Sequence, residues 1–306
     1  MTVDVALIGC GPTGATLANL LGRRGHRVAV VEQSAEICDK PRAITADQEV
    51  MRVFQECGLA DAIEPMTSPH PGTDFVGIDD QVIQRFYPAP GPKQLGWEPN
   101  WMFVQPELEA VLRRGAARFE QVQALLRHRY LGHAQDADGV TLQLQRLVDG
   151  AAVPLRARYV VACDGGRSAV RRAVGATIED LAFDEWWIVV DARLRRPTAL
   201  PPRCAQYCRP SRPGTYIVGP GDLRRWEIKL LPGETPADFE DESAIRRVLA
   251  SFVDVDALEL WRSAVYRFHA LVLDRWRDGR VFLAGDAAHQ MPPFLGQGLC
   301  AGIRDA

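Results

Sequence analysis

The sequence predicts an α/β fold in which a nucleotide-binding domain is interrupted by a second, mostly antiparallel β domain. Three glycine-rich turns support this prediction, at residues 9–14, 163–168 and 285–289, and each follows a short apolar run. Such runs are typical of strands that are buried on both faces of a parallel sheet. Residues 183–268 differ, because their alternating segments are separated by proline-rich turns. That pattern is typical of antiparallel strands.

The first 32 residues have the pattern of one βαβ unit. Residues 3–9 predict a buried strand, residues 14–24 have the small and apolar spacing of a helix, and residues 28–32 predict the next strand. The unit is Rossmann-like, because its first strand leads into a glycine triad and then a helix.

The glycine triad of the first turn has the spacing GxGxxG. Gly9 permits a tight turn, Gly11 lets backbone approach a pyrophosphate, and Gly14 lets the helix pack on the strand. Phosphate oxygens would face the positive end of that helix. Glu32 ends the second strand, where a carboxylate accepts hydrogen bonds from ribose hydroxyls. These features together predict a dinucleotide site.

Three more helices are expected in the first domain. Thr45-Ala46-Asp47-Gln48 has the pattern of a capping box that opens a helix ending at Gly58. Pro106 suits the first position of a helix that begins at Gln105. Residues 168–174 predict a short helix that ends at Gly175.

Several strand segments lie around these helices. Residues 123–133 and 140–147 alternate around the turn signal Asp138-Gly139, and residues 159–163 predict a buried strand. Residues 65–99 are rich in Pro and Gly and read as an excursion from the first domain, with a strand-like piece at 74–78.

The inserted domain is predicted from strands at residues 186–194, 215–218 and 226–230, after which residues 281–284 return to the buried-strand pattern. The nucleotide-binding domain is accordingly expected to comprise residues 1–73, 98–180 and 270–306, and the inserted domain residues 74–97 and 181–269.

Composition restricts the function classes. The 306 residues are 47% hydrophobic and 25% charged with a net charge of −3, which is typical of a globular protein and gives no reason to expect nucleic acid or an anionic membrane. No apolar run approaches the ~20 residues of a membrane span, and the N-terminus lacks the pattern of a signal peptide. A cytoplasmic location is expected.

Seven cysteines, odd in number and scattered, favour free thiols in a reducing cytosol over disulfides. Cys204 and Cys208 could be metal ligands, but no second Cys or His pair lies nearby. No metal site is therefore predicted.

Two carboxylates follow buried strands, Asp164 after residues 159–163 and Asp286 after residues 281–284. Open α/β sheets bind their ligands at the carboxyl ends of the strands. Gly285, Gly296 and Gly298 leave room around Asp286 for the backbone to approach a flavin's ribityl chain and ring.

This combination resembles the FAD-dependent aromatic hydroxylases, which are single-component flavoprotein monooxygenases. The resemblance rests on GxGxxG with Glu32, on Asp164-Gly165 with Arg167 and Ser168, and on Gly285-Asp286. Segments 40–43, 104–109, 224–227 and 230–234 are also similar to that family, and the similarity covers nearly the whole chain.

The resemblance implies a set of FAD contacts. Arg42 is expected near the pyrophosphate, Asp286 at the ribityl chain, and Asp164-Gly165 at both FAD and a nicotinamide. No catalytic residue is assigned, and His289 is more readily a structural histidine than an acid or base. The expected cofactor-binding residues are Gly9, Gly11, Pro12, Thr13, Gly14, Glu32, Gln33, Arg42, Gln105, Asp164, Gly165, Gly285, Asp286, Ala287, Pro292, Gly296, Gln297 and Gly298.

The implied reaction is the hydroxylation of a phenolic aromatic acid, of the 3-(3-hydroxyphenyl)propionate type, in aromatic catabolism. NADH or NADPH would reduce the flavin, and O₂ would then give a C4a-hydroperoxide whose distal oxygen is transferred to the ring. The oligomeric state is left open. Core packing or surface pairing is the expected role of Tyr207, Tyr216, Arg225 and Trp226, and Trp186-Trp187 is expected to lie in the core.

Several alternatives stay open. A plain NAD dehydrogenase explains the first turn but leaves Asp286 unexplained, and residues 185–188 lack the motif of flavin halogenases. Members of the family continue past Gly285-Asp286 through a long helix, whereas this chain ends at Ala306. The chain is accordingly expected to be a fragment of such an enzyme, with a truncated, non-hydroxylating FAD-binding chain or an uncoupled NAD(P)H oxidase as the alternatives. A different phenolic substrate, such as a polyketide, is a further alternative.

Overall fold

The structure is a computed structural model that describes residues 2–87 and 92–306. Residues 88–91, which fall in the predicted segment 74–97, and Met1 lie outside the described residues. The described part of the chain forms two eight-stranded sheets and one three-stranded sheet.

Nineteen strands are described, and they are numbered here in chain order. They are β1 (Thr2–Ile8), β2 (Val28–Glu32), β3 (Thr45–Asp47), β4 (Ser68–Pro69), β5 (Thr73–Val76), β6 (Val82–Phe86), β7 (Asn100–Met102), β8 (Val122–Leu126), β9 (His128–Gln135), β10 (Val140–Arg146), β11 (Ala152–Ala162), β12 (Ile178–Leu194), β13 (Cys204–Tyr207), β14 (Gly214–Val218), β15 (Leu223–Lys229), β16 (Leu258–Leu273), β17 (Arg277–Asp278), β18 (Val281–Leu283) and β19 (His289–Gln290).

Seven α-helices are described in residues 2–87 and 92–306. They are α1 (Pro12–Arg23), α2 (Gln48–Glu56), α3 (Ala60–Ile63), α4 (Gln105–Ala116), α5 (Ala169–Val174), α6 (Glu242–Leu249) and α7 (Gly298–Asp305). Single 3₁₀ turns are found at Glu64–Met66, Pro236–Phe239, Val255–Ala257, Gly285–Ala287 and Pro293–Leu295.

The first sheet has the strand order β17-β18-β11-β1-β2-β8, and β10 and β9 extend it from β11. Its centre is parallel, since β11, β1, β2, β8 and β18 all run in one direction. Two hydrogen bonds bring the three glycine-rich turns together at the carboxyl ends of its strands. Cys163 N donates to Ile8 O over 2.7 Å, and Ala284 N donates to Ala162 O over 2.9 Å. The predicted ligand edge of an open α/β sheet is therefore built from three distant parts of the chain.

The second sheet has the order β19-β16-β12-β15-β14-β13-β5-β6 and is antiparallel except for the pair β13 and β5. One face packs on α6 around Trp226 and Tyr216, which are fully buried. The other face turns toward the first sheet. This is the α/β fold with an inserted, mostly antiparallel β layer that the sequence predicts.

Two local predictions are wrong. Residues 45–47 do not open a helix as a capping box but pair with β7 as strand β3, and Asp47 alone caps α2 by accepting a 3.0 Å hydrogen bond from Val50 N. Residues 123–133 are not one strand, because Arg127 has a φ of 56° and separates β8 from β9. Long-range pairing decides both cases, and local sequence patterns do not reveal it.

The two longest strands pass through the predicted domain boundaries. Strand β12 begins at Ile178, before the boundary at 180/181, and β16 continues to Leu273, beyond the boundary at 269/270. The second sheet therefore starts and ends within segments that were assigned to the first domain.

Helix α7 is short, and tertiary contacts hold it in place. Cys300 and Ile303 are buried in the core that also contains α1, and the Arg304 guanidinium pairs with Asp47 and Glu49. An isolated helix of eight residues is marginal in water, so packing supplies its stability. Among residues 2–87 and 92–306, no helix combines the length and the apolar character that crossing a bilayer requires.

Candidate functional site

A large cleft lies between the carboxyl edge of the first sheet and the open face of the second. Its volume is about 1330 Å³, and both sheets contribute to its walls. A pocket for one drug-sized ligand occupies roughly 300–1,000 Å³. The cleft can therefore hold more than one such ligand.

The glycines of the first turn differ in what surrounds them. Gly9 has a φ of +101°, and a Cβ there would lie 2.3 Å from Cys163 O. A Cβ on Gly14 would lie 2.1 Å from Gly9 O, whereas nothing lies within 4 Å of the Cβ position at Gly11. Gly9 and Gly14 are thus required by packing, and Gly11 leaves an open surface at the cleft.

The N-terminus of α1 faces that open surface. Gly11 is the N-cap residue, Pro12 occupies the first turn, and no side chain caps the helix. Gly11, Pro12 and Thr13 line the cleft. Unpaired N–H groups and the positive end of the helix dipole make this position suited to a phosphate.

Glu32 is positioned at the end of β2, as its place in the sequence predicts, but outside the lining of the main cleft. Its carboxylate accepts hydrogen bonds from Cys10 N over 2.9 Å and from Ser34 N over 2.8 Å. It fixes the backbone of the first turn, and Gln33 beside it is exposed.

Asp164 follows β11 and combines a structural contact with a free acceptor. Its Oδ2 accepts from Ala169 N and Val170 N, at 2.8 and 3.2 Å, and thereby caps α5. Its Oδ1 is buried without a hydrogen-bond donor in the described residues. Asp164 and Gly165 both line the cleft, so that oxygen is available to a ligand donor.

Arg171 of α5 connects the second and third turns. Its guanidinium donates to Gly166 O over 2.5 Å, and to Asp286 O and Ala287 O over 3.2 Å each. Asp286 is exposed at the cleft surface, and partial desolvation of its carboxyl group raises its pKa while Arg42, His289 and Arg171 oppose the rise. A carboxyl group in such a place is suited to a neutral hydroxyl donor.

The third turn is also held by α7. Asp305 Oδ2 lies 2.7 Å from Gly285 N and 2.7 Å from His289 Nε2. His289 is therefore paired to a carboxylate of the fold, in keeping with the structural role expected for it. Gly296 has a φ of +63°, and a Cβ there would meet the side chain of Thr45 at 2.1 Å.

The segment at Pro41, Arg42 and Ala43 is fixed from two directions. Gln105 Oε1 accepts from Arg42 N over 3.0 Å and from Ala43 N over 2.5 Å. From the second sheet, Arg225 donates to Arg42 O over 2.7 Å and to Pro41 O over 3.3 Å. Because its backbone is held on both sides, the Arg42 side chain is presented to the cleft.

A buried charge cluster, formed by Asp191, Arg225 and Arg262, anchors these contacts. Arg225 Nε donates to Asp191 Oδ1 over 2.7 Å, and Arg262 Nη1 lies 3.5 Å from Asp191 Oδ2. Arg262 also donates to Pro41 O. Asp191 is fully buried and Arg225 is 3% exposed, so the ion pairs are shielded from water.

The second sheet supplies the remaining wall, in which aromatic side chains stand among polar and charged ones. Trp186, Tyr266, Phe268 and Phe75 line the cleft there. The prediction that both Trp186 and Trp187 lie in the core is wrong for Trp186, which is 38% exposed and is among the residues that line the cleft, whereas Trp187 is buried. Tyr207, Tyr216 and Trp226 are buried on the far face, as expected.

Some of the predicted cofactor-binding residues line the cleft and the others do not. The residues that line the cleft are Gly11, Pro12, Thr13, Arg42, Gln105, Asp164, Gly165, Asp286, Gly296 and Gly298. Those outside the lining are Gly9, Gly14, Glu32, Gln33, Gly285, Ala287, Pro292 and Gln297.

Sequence reasoning missed Arg171, Asp191, Glu227 and Arg262. Arg171, Asp191 and Arg262 make contacts between segments that are far apart in the chain, and no local motif marks them, whereas Glu227 lies in the family-like segment 224–227 but is given no role there. An inward-facing charge within an apolar strand was the available signal for Asp191 and Glu227.

Glu227 predicts a measurable pH dependence of stability. Burial raises its pKa from 4.5 to about 7, Asp191 adds to the rise, and Arg225 opposes it; Arg262 also faces this region from β16. The folded state then retains a proton that the unfolded state releases, so stability falls as pH rises from about 4.5 to 7. Urea unfolding should show that Glu227→Gln gains stability over the native chain between pH 5 and pH 8, by up to roughly 3 kcal/mol.

The control for that measurement is Glu259→Gln, because Glu259 is exposed and its pairing with Arg195 is weak at 3.8 Å. Its difference from the native chain should not change with pH. A pH-independent difference for Glu227→Gln would contradict the assignment.

The geometry fits a dinucleotide with a flavin. The α1 N-terminus has no side-chain cap, the Cβ position at Gly11 is open, and Asp164 Oδ1 has no donor within the described residues, so the three positions are suited to such a ligand. A family model described as an FAD binding domain matches residues 2–306.

The chain belongs to the FAD-binding domain family.

Curated relatives of this FAD-binding chain share a common name. This chain is 39% identical over 304 residues to "3-(3-hydroxy-phenyl)propionate/3-hydroxycinnamic acid hydroxylase" of Mycobacterium sp. (strain JLS). The aligned region covers 99% of this chain and 52% of that relative. The protein of the same name from Comamonas testosteroni is also 39% identical, over 99% of the chain and 51% of the relative. The chain therefore spans about half the length of the curated relatives it matches.

Solved structures show the same fold. Aklavinone-11 hydroxylase, in a ternary complex with FAD and aklavinone, matches this chain with a TM-score of 0.85 at 25% identity. The matched region covers 99% of this chain and 60% of the hydroxylase chain. p-Nitrophenol 4-monooxygenase from Pseudomonas putida DLL-E4 has a TM-score of 0.88 at 23% identity, covering 99% and 78%. The fold of this FAD-binding chain is thus that of flavin-dependent monooxygenases.

Proposed function

We propose that the protein is an FAD-dependent monooxygenase that hydroxylates a phenolic aromatic acid, with NADH or NADPH as reductant and O₂ as co-substrate. A substrate of the 3-(3-hydroxyphenyl)propionate type is the first candidate, since curated relatives bear that name over nearly the whole chain. The oligomeric state is not part of the proposal.

The observation that carries the proposal is the continuity of the cleft. Its first-sheet side contains the uncapped helix N-terminus at Gly11–Thr13 and the carboxylates Asp164 and Asp286, and its second-sheet side includes several aromatic side chains. A cleft of about 1330 Å³ gives a cofactor and an aromatic ring a place side by side.

Each wall has a separate proposed task. The N-terminus of α1 binds the pyrophosphate, Arg42 adds a positive charge to it, and Asp286 accepts a hydrogen bond from the ribityl chain. Glu32 supports the first turn and accepts from the adenosine ribose. Gly296 and Gly298 bring backbone close to the ring system without side chains in the way.

Bound FAD supplies the redox and oxygen chemistry, and the protein supplies position and exclusion of water. The stacked aromatic side chains of Tyr266 and Phe268 provide a flat surface on which a phenol ring can lie. Apolar walls also lower the amount of water around the reacting atoms, which suppresses side reactions of the reduced cofactor.

The test compares reductant consumption with product formation in the FAD-loaded chain. NADH and NADPH are each supplied with 3-(3-hydroxyphenyl)propionate under ¹⁸O₂, and the product is analysed by mass spectrometry. We expect the phenol to stimulate consumption and one ¹⁸O atom to enter the product. Consumption without labelled product would identify an uncoupled oxidase, and FAD binding without consumption would identify a non-hydroxylating FAD-binding fragment.

A second candidate is the hydroxylation of a larger phenolic substrate such as a polyketide. It is supported by the fold that this chain shares with aklavinone-11 hydroxylase, whose structure contains FAD and aklavinone. The same assay with aklavinone in place of the phenolic acid separates the two candidates.

A reducing compartment such as the cytoplasm is part of the proposal. None of the seven cysteines is paired in a disulfide, and the sequence shows no disulfide framework. Free buried thiols are the usual state of cysteine in such a compartment.

A further inference from the structure

Glu227 has an unusual position on the wall of the cleft. It lies on β15, directly opposite Thr215 of β14 and Val189 of β12, on the face that is turned to the cleft. It is 5% exposed and lines the cleft. Glutamate is rarely buried to this extent unless it has a partner.

The Glu227 carboxyl group makes no hydrogen bond within the described residues, and its ion pair with Arg225 is long. Within the described residues its charged neighbour is Arg225 Nη1, 3.9 Å away, which is beyond hydrogen-bonding distance. Arg225 is already satisfied by Asp191 and by the carbonyls of Pro41 and Arg42. A buried carboxyl without a hydrogen bond lowers stability, so a stabilising role does not explain its presence.

The surroundings of Glu227 are those of a ligand site. Thr215 Oγ1 donates to Gln206 Oε1 over 2.9 Å, which forms a polar row that continues to Glu227 across adjacent strands. Phe75 lies beside Gln206 at the end of this row, and Trp186 lines the same cleft. Glu227 therefore has the charge cluster of Asp191, Arg225 and Arg262 on one side and neutral polar and aromatic side chains on the other.

We propose that Glu227 is a substrate-contacting residue whose carboxyl group forms a hydrogen bond with the hydroxyl group of an aromatic substrate. The class of ligand rests on the proposed function, whereas the position and the free carboxyl group are features of the structure. Because a carboxyl group repels a second carboxylate when ionised, the acid tail of a phenolic acid is directed away from β15. Glu227 thus selects a phenol over the same ring without its hydroxyl.

Equilibrium binding tests this assignment without requiring turnover. Calorimetric titration of the FAD-loaded chain compares 3-(3-hydroxyphenyl)propionate with 3-phenylpropionate, which differs by the hydroxyl group. We expect the native chain to bind the phenol more tightly, by about 10-fold to 100-fold, the range for a hydrogen bond to a charged group. Glu227→Leu should abolish this preference and leave the affinity for 3-phenylpropionate unchanged.

Two variants separate recognition from folding. Glu227→Gln keeps hydrogen-bonding atoms and should restore part of the preference, which a purely structural role would not predict. Glu259→Gln changes an exposed glutamate of β16 and should bind both probes as the native chain does. Thermal unfolding of Glu227→Leu should occur at or above the native temperature, because the variant removes an unsatisfied buried group.

The outcomes are distinct. Equal affinity of the native chain for the two probes, or no binding of either, overturns the proposal, as does a preference that survives in Glu227→Leu. If the preference is present and lost in Glu227→Leu while no hydroxylated product forms in the turnover assay, the inference stands and the proposed function fails. If product forms but the variant keeps the preference, the function stands and the inference fails.

Discussion

Replacing Arg225 with methionine is expected to destabilise the protein by about 3–5 kcal/mol and to weaken FAD binding strongly. The substitution leaves Asp191 buried with a single, longer contact to Arg262, and removes donors from the carbonyls of Pro41 and Arg42. Breaking one partner of a buried ion pair has a cost of this size because a charge is left without compensation. Chemical denaturation and FAD titration of Arg225→Met measure the two effects.

The matched control is Arg193→Met on the neighbouring strand. Arg193 pairs with Asp222 over 2.7 Å, but both side chains are about half exposed. Exposed pairs contribute only about 0–1 kcal/mol, so this variant should stay close to the native chain. Equal destabilisation by the two substitutions would show that the buried cluster has no special role in holding the segment at Arg42.

Alanine at Gly9 is expected to have the second largest effect. The alanine would have to adopt a φ of +101°, and its Cβ would lie 2.3 Å from Cys163 O. The overlap cannot be relieved by a side-chain rotation, because the oxygen belongs to the backbone. Left-handed strain alone costs of order 1–3 kcal/mol, and the overlap adds to it. Urea unfolding of Gly9→Ala should therefore show a large loss of stability together with a loss of FAD binding.

Gly11→Ala distinguishes packing from ligand binding in the same turn. Nothing lies within 4 Å of the Cβ position at Gly11, and its φ of −73° suits any residue. We expect native stability with a lower affinity for FAD, because a methyl group would occupy the surface proposed for the pyrophosphate. If Gly11→Ala binds FAD with the native affinity, the proposal that the pyrophosphate lies against Gly11 is wrong.

Local sequence signals predicted the parts of the site that are built from consecutive residues. The turn at Gly9–Gly14, the helix after Ser168 and the strands that precede Asp164 and Asp286 each follow from glycine geometry and apolar runs. Strand β3 could not be predicted in this way, because it pairs with Asn100–Met102 more than 50 positions along the chain.

The second wall of the site was less accessible to prediction for the same reason. The hydrogen bonds to the carbonyls of Pro41 and Arg42 come from Arg225 and Arg262. Asp191, which pairs with both arginines, lies on a third strand. Trp186 and Trp187 are adjacent residues of the same type, and only the tertiary packing around β12 determines that Trp187 is buried and Trp186 is partly exposed.

The two hydrogen bonds of Asp305 make the last helix a thermodynamic partner of the cofactor pocket. Gly285 N and His289 Nε2 share one carboxylate oxygen of α7, so the third turn is complete only while the end of that helix is formed. Any ligand that favours the ordered turn must favour the ordered helix by the same free energy. The stability of α7 near Asp305 and the ligand affinity of the pocket are therefore thermodynamically coupled, and a change in one changes the other.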